Sequence, residues 1–146
     1  MSLEENKEII CRLFEAYNQQ NLDVLDELFT HDYVDHLLQL RSLESFKQFY
    51  TQFFKGFPDT HSTIEDIIAE GDKVWTRSTV AGTHKGEYRG VSPTGKEITI
   101  KCVDSYRIVD GKVVESWGLY DFLDFYKKLG IIEYTEQGKQ LLPQEK

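Results

Sequence analysis

Asp104, Glu115 and Asp121 are three of the carboxylates in the stretch that ends at Asp121. What they can do together depends on the strand face each one occupies. Asp110-Gly111 is flanked by alternating apolar residues. It predicts a two-residue type I′ hairpin turn, whose two central positions both need positive φ. That turn sets Val109 against Lys112 and Ile108 against Val113. Continued without interruption, the register sets Tyr106 against Glu115, Asp104 against Trp117, Cys102 against Leu119 and Ile100 against Asp121. Side chains alternate along a strand, so the three acids then share a face with Ile100, Cys102, Tyr106, Ile108, Val113, Trp117 and Leu119. An ionised carboxylate on such a face is costly unless it is paired or hydrogen-bonded. Desolvation raises its pKa towards neutrality, which is what a general acid or base needs. A one-residue slip would turn every side chain to the other face.

Each of these residues also has a structural reading. Asp121 precedes "FLDFYKKLG" and is placed to cap a helix. Glu115 can pair with a cation near the strand end, and Asp104 with Arg77. Trp117 either packs in the core or faces a cavity, and a tryptophan can do both. His36 closes "YVDH" and is either structural or a polar group of the site. The four histidines are dispersed, with no HxH or HExxH spacing, so no metal site is expected. There is no GxGxxG phosphate loop and no GxSxG nucleophile elbow. Serine, cysteine and histidine form no evident triad.

The elements that must position these groups follow from periodicity. Ile10, Leu13, Phe14 and Tyr17 recur at helical spacing. "LDVLDELF" (22–29) reads as a short second helix. Ser42 caps a third, whose aromatic face is Leu43, Phe46, Phe49, Tyr50 and Phe53, and Gly56 and Pro58 stop it. "YVDH" between them is short and β-prone. Beyond Thr60 the period becomes two, and four long strands are predicted within 62–70, 73–84, 96–109 and 112–122. The glycine-rich segment from Gly82 to Gly95 reads as a bend and a long loop. A short helix then runs to Gly130. Helices followed by a run of strands is an α+β order. One domain over 1–130 is expected, with 131–146 as a C-terminal extension.

The chain has 146 residues and a net charge of -8. That length suits one domain with a real core. The acidic balance, with no basic stripe, argues against nucleic acid and anionic membrane surfaces as partners. No apolar run approaches the roughly 18 residues of a membrane span. Cys11 and Cys102 lie in different elements and form no CxxC, so they read as small buried hydrophobes in a cytoplasmic protein. Outward Val103, Val109, Val114 and Tyr120 would leave apolar area on the sheet, which predicts a homodimer through that face.

The order of elements, together with "FPDTHSTIEDIIAEGDKVWTRSTVAGTHKGEYRGVSPTGK" and "YRIVDGKVVESWGLYD", closely resembles the SnoaL-like polyketide cyclase (ester cyclase) family over about residues 8–130. The resemblance implies the nuclear-transport-factor-2-like α+β fold: a cone-shaped barrel in which a curved antiparallel sheet and three N-terminal helices enclose one pocket. It also implies aldol-type ring closure without a metal or organic cofactor, and frequent dimers. The family's acid/base aspartate follows its tryptophan by four residues, which falls on Asp121 after Trp117. The family's histidine after the first short strand falls on His36. Many members carry histidine just before the tryptophan, where this chain has Ser116, and the inner strand position held here by Asp104 is often neutral or histidine. The resulting expectation is a pocket for a small apolar or aromatic carbonyl compound. Asp121 would act as acid/base, His36 and Asp104 would position or polarise the substrate, and Trp117, Phe46, Phe49 and Tyr106 would shape the cavity. An epoxide hydrolase or isomerase on the same fold, with Arg77 beside an aspartate, and a non-catalytic ligand-binding module are the alternatives.

Overall fold

The computed structural model describes residues 2–142. Helix α1 (Leu3–Asn18) starts at a capping box in which Ser2 accepts from the Glu5 amide and the Glu5 side chain accepts from Ser2. A 3-10 turn (Leu22–Val24) leads into the single turn of α2 (Leu25–Leu28). Strand β1 covers Phe29–Asp35 and α3 covers Leu43–Gly56. Then come β2 (His61–Glu70), β3 (Lys73–Thr83), β4 (Glu97–Val109), β5 (Lys112–Tyr120), α4 (Phe122–Leu129) and α5 (Glu136–Leu141). Helix α5 falls within the expected C-terminal extension, whose residues 143–146 lie outside the described ones.

The α+β order is present, and the first strand is longer than "YVDH". Phe29 leaves the predicted second helix and opens β1, where it is buried against Tyr33. The sheet order is β1-β5-β4-β3-β2. Strands β2 to β5 are antiparallel neighbours, and β1 adds parallel to β5 at one edge. The sheet is curved and does not close, because β1 and β2 remain separate edges. The aromatic face of α3 and the apolar stripe of α1 pack on the inner side. They contribute Leu13, Phe46 and Phe53 to the buried core. Among the described residues no helix is long and apolar enough to cross a membrane.

The hairpin turn is the expected one, and the register beyond it is not. Asp110 and Gly111 have φ of 50° and 78°, and Val109 faces Lys112. Ile108 faces Val113, yet Arg107 faces Glu115, so Val114 is an extra residue on β5. This β-bulge shifts the alternation of everything after it. Tyr106 therefore faces Ser116, Asp104 faces Gly118, and Cys102 faces Tyr120. The expected inward set of Glu115, Trp117 and Leu119 turns outward: Trp117 is 39% exposed and Leu119 79%. Asp121 lies beyond β5 as the exposed N-cap of α4. The expectation that three acids share one inner face is thus corrected to Asp104 alone. Tyr120, expected outward, faces in. The even-numbered residues of β4, from Ile98 to Ile108, are buried as expected.

The glycine-rich segment closes one end of the molecule. Thr83 still belongs to β3, and the loop that follows folds on itself through hydrogen bonds between His84 and both Gly95 and Lys96. Tyr88 pairs with Val91 across a tight turn, and its ring packs on Phe53, Phe57 and Phe125.

Candidate active site

The curved sheet and the helices enclose an apolar cavity. Its unfilled space is about 930 Å³, part of it open to solvent. Helix α1 contributes Leu13, Phe14 and Tyr17, and α3 contributes Phe46, Phe49, Tyr50 and Phe53. Tyr88 from the long loop and Phe122 and Phe125 from α4 complete the apolar wall. The polar groups gather on the sheet side: Asp35 and Tyr33 from β1, Asp104 and Tyr106 from β4, and Ser116 and Tyr120 from β5. No lysine, arginine or histidine is found among the described residues that line the cavity.

Asp104 lies mid-strand in β4, between Thr76 of β3 and Gly118 of β5, and is 6% exposed. The Tyr120 hydroxyl donates to its Oδ1 at 2.8 Å. Burial pushes the Asp104 pKa up to about 7; the Tyr120 hydrogen bond opposes the rise and the charge of Asp35 adds to it. Such a carboxyl group is part ionised and part protonated near neutrality, so it can take up a proton and return it.

Asp35 ends β1 and is 7% exposed. Its Oδ1 accepts from the Leu38 amide at 2.9 Å, and its Oδ2 from the Tyr33 hydroxyl at 3.5 Å. Burial raises its pKa, and the backbone amides of Leu38 and Leu37 pull the other way. The Tyr33 hydroxyl also hydrogen-bonds the Ser116 hydroxyl, which joins β1 to β5 at the cavity floor. The Cys102 thiol lines the cavity, but burial pushes its pKa up to about 12, so it is no nucleophile at neutral pH.

Of the residues singled out in the sequence, Asp104, Tyr106, Phe46 and Phe49 border this cavity. Asp121, His36, Trp117 and Arg77 do not. The Asp121 carboxylate accepts from the Asp124 amide at 3.1 Å, as a helix cap does. His36 stacks on Trp117 with ring centroids 4.9 Å apart and planes 9° apart, and its Nε2 meets Glu115 at 2.8 Å. Glu115 also accepts from Arg107 Nε at 2.6 Å, so the ion-pair reading of Glu115 describes its surroundings. Arg77 pairs with Asp66 at 2.7 Å on the outer face, away from Asp104. The groups that sequence reasoning passed over are Asp35, Tyr33, Ser116 and Tyr120. The buried aromatic ring of Tyr33 marks the inner face of β1, and Asp35, two residues on, shares it. For β5 the signal was the adjacent pair Val113-Val114, which breaks apolar alternation where the bulge sits. Among the described residues, no group of acidic, histidine or cysteine side chains is arranged to hold a metal ion.

The family model of SnoaL-like polyketide cyclases matches residues 7–129. The aklanonic acid methyl ester cyclase DauD of Streptomyces sp. strain C5 is 29% identical over 143 residues, covering 93% of this chain and 88% of the relative. The crystal structure of AclR, a proposed hydroxylase from Streptomyces galilaeus, is 32% identical, with a TM-score of 0.81 over 90% of this chain and all (100%) of that one. That of IdmH, a proposed polyketide cyclase from Streptomyces antibioticus, is also 32% identical, with a TM-score of 0.76 over 86% of this chain and 98% of that one. Fold, cavity and sequence agree: the chain belongs to the SnoaL-like polyketide cyclase family.

Proposed function

We propose that the cavity carries out acid/base chemistry, an aldol-type ring closure, on a small apolar carbonyl compound, with Asp104 as the acid/base group. The observation that carries this reading is a buried carboxyl with a pKa of about 7 among apolar walls, hydrogen-bonded to Tyr120 and without a basic residue among the described residues that line the cavity. Ionised Asp104 removes the acidic proton from a carbon between two carbonyls. The resulting enolate carbon attacks a second carbonyl of the same molecule, forming one carbon–carbon bond. The developing alkoxide takes the proton back from Asp104, so no atom is lost and no electrons leave. Tyr33 and Ser116 supply hydrogen bonds for the oxygens that gain charge. Phe46, Phe49 and Tyr106 hold the ligand by apolar and ring contacts.

AclR and IdmH are each 32% identical to this chain but carry different activity names, so the chemistry of the cavity has to choose between them. An aspartate–arginine hydrolase is disfavoured by the Arg77–Asp66 pair on the outer face. The test is turnover of aklanonic acid methyl ester, and of simpler tethered diketone esters, by wild type and Asp104→Asn. General acid/base catalysis is worth roughly 100- to 10,000-fold, and the variant should lose that much. Equal turnover by a folded variant would remove Asp104 from the mechanism.

The working unit proposed is 1–130 with an extension from 131. With a net charge of -8, its partner is a small molecule rather than a nucleic acid. Free Cys11 and Cys102 suit a reducing cytoplasmic setting. A homodimer through the outer sheet face is also proposed. Trp75 and Trp117 flank Ser105 in one row there, and Val103 sits beside Leu119 in the next. All four apolar side chains are exposed in the single chain.

A further inference from the structure

Gly118 sits in the interior of β5. Glycine weakens a strand there, since it loses more backbone entropy and packs no side chain. Its backbone does not require it, because Gly118 is not one of the residues with positive φ. The space beside it does. A β-carbon built on Gly118 would lie 2.8 Å from Asp104 Oδ1, and 3.2 Å from both Leu37 Cδ2 and Tyr120 Cε1. Asp104 is its cross-strand partner, and the crowded oxygen is the one that accepts the Tyr120 hydroxyl at 2.8 Å.

We infer that Gly118 is a positioning residue: by carrying no side chain it leaves Asp104 Oδ1 room to lie over β5 in the grip of Tyr120, and leaves Oδ2 for proton transfer. The catalytic consequence rests on the reading of Asp104 as the acid/base group. The geometric claim does not. A methyl group at position 118 meets the end of a side chain rather than backbone, so the fold can accommodate it by swinging the carboxylate away. The Tyr120 bond is then lost. Asp104 also feels Asp35 and Tyr33 from β1, Tyr50 from α3, and Cys102 and Tyr106 on its own strand. A β-carbon at position 118 has none of these groups among its nearest neighbours. Tyr120 stabilises the ionised form, so losing its bond moves Asp104 titration upward from about 7.

The experiment follows the Asp104 carboxyl by carbon-13 NMR against pH in the full chain. It compares wild type, Gly118→Ala, Tyr120→Phe and the double variant. Each single change should raise the midpoint by roughly one unit, the size expected for one charge-assisted hydrogen bond. Gly118→Ala should add nothing in the Tyr120→Phe background, because both act on one bond. A Gly118→Ala midpoint equal to wild type, or additive with Tyr120→Phe, overturns the inference. Should Gly118→Ala fail to fold, adding Leu37→Ala removes the apolar crowding and keeps the contact with Asp104. The same two outcomes then decide. No substrate enters the titration, so its failure is distinct from failure of the Asp104→Asn turnover test.

Discussion

Asp35 at the end of β1 and Asp104 in the middle of β4 present their carboxylates to one cavity, and the charge on Asp35 helps to raise the proton affinity of Asp104. Neither has a basic partner among the described lining residues. Like charges in a low-dielectric space resist joint ionisation, so the pair holds on to a proton that isolated aspartates would release. Environments that hold protons in this way are how carboxyl groups are set to acid and base roles near pH 7.

This arrangement has a cost in stability with a definite sign. An unfolded aspartate releases its proton near 4, whereas folded Asp104 does so at about 7. Between those values the folded state binds more protons, so stability falls as pH rises through the window. Three units correspond to about 4 kcal/mol. Asp104→Asn should flatten this slope and be the more stable protein at pH 8. Urea unfolding at pH 4 and pH 8 measures it, and parallel slopes in the two proteins would count against the buried ionisable group.

Asp35→Asn keeps an oxygen for the Leu38 amide but removes the charge. The ionised form of Asp104 is then less opposed, so its midpoint should move below about 7. The acidic limb of any rate profile should shift to lower pH with it. An unmoved limb would mean that the two carboxylates do not feel each other.

Asp121 provides the contrast. As the N-cap of α4, its replacement by alanine should cost about 1 kcal/mol and leave turnover at the wild-type level. Thermal unfolding and initial rates on the same preparations separate the two effects. A loss of turnover without a loss of stability would return Asp121 to the chemistry.

Much of the fold was legible because local chemistry and period agreed. The Ser42 cap, the aromatic stripe of α3, the Asp110-Gly111 turn and the alternation along β4 are each set within a few residues. The site was only partly legible, because it depends on pairings between distant strands. One inserted residue, Val114, exchanges Trp117 and Leu119 for Ser116, Gly118 and Tyr120 on the inner face. The parallel pairing of β1 with β5, which brings Asp35 to the cavity, joins segments about eighty residues apart and leaves no local mark. His36 drew notice as a histidine, while its neighbour Asp35 occupies the inner face.

The same inversion redraws the expected dimer face. Leu119 and Trp117 join Val103 and Trp75 outside, while Tyr120 leaves for the cavity. Leu119→Glu should turn a dimer into a monomer at micromolar concentration in sedimentation velocity, with the cavity chemistry retained. A wild type that sediments as a monomer would overturn the proposed association.

The most direct test of the acid/base assignment is the pH dependence of kcat/KM for ring closure of aklanonic acid methyl ester, since that profile reports the ionisation of the free enzyme. With Asp104 as the base, kcat/KM rises with pH through a midpoint of about 7, and Asp104→Asn abolishes both the rise and most of the activity. A profile flat from pH 5 to 9, or an Asp104→Asn variant that keeps the wild-type rate and midpoint, would contradict the account.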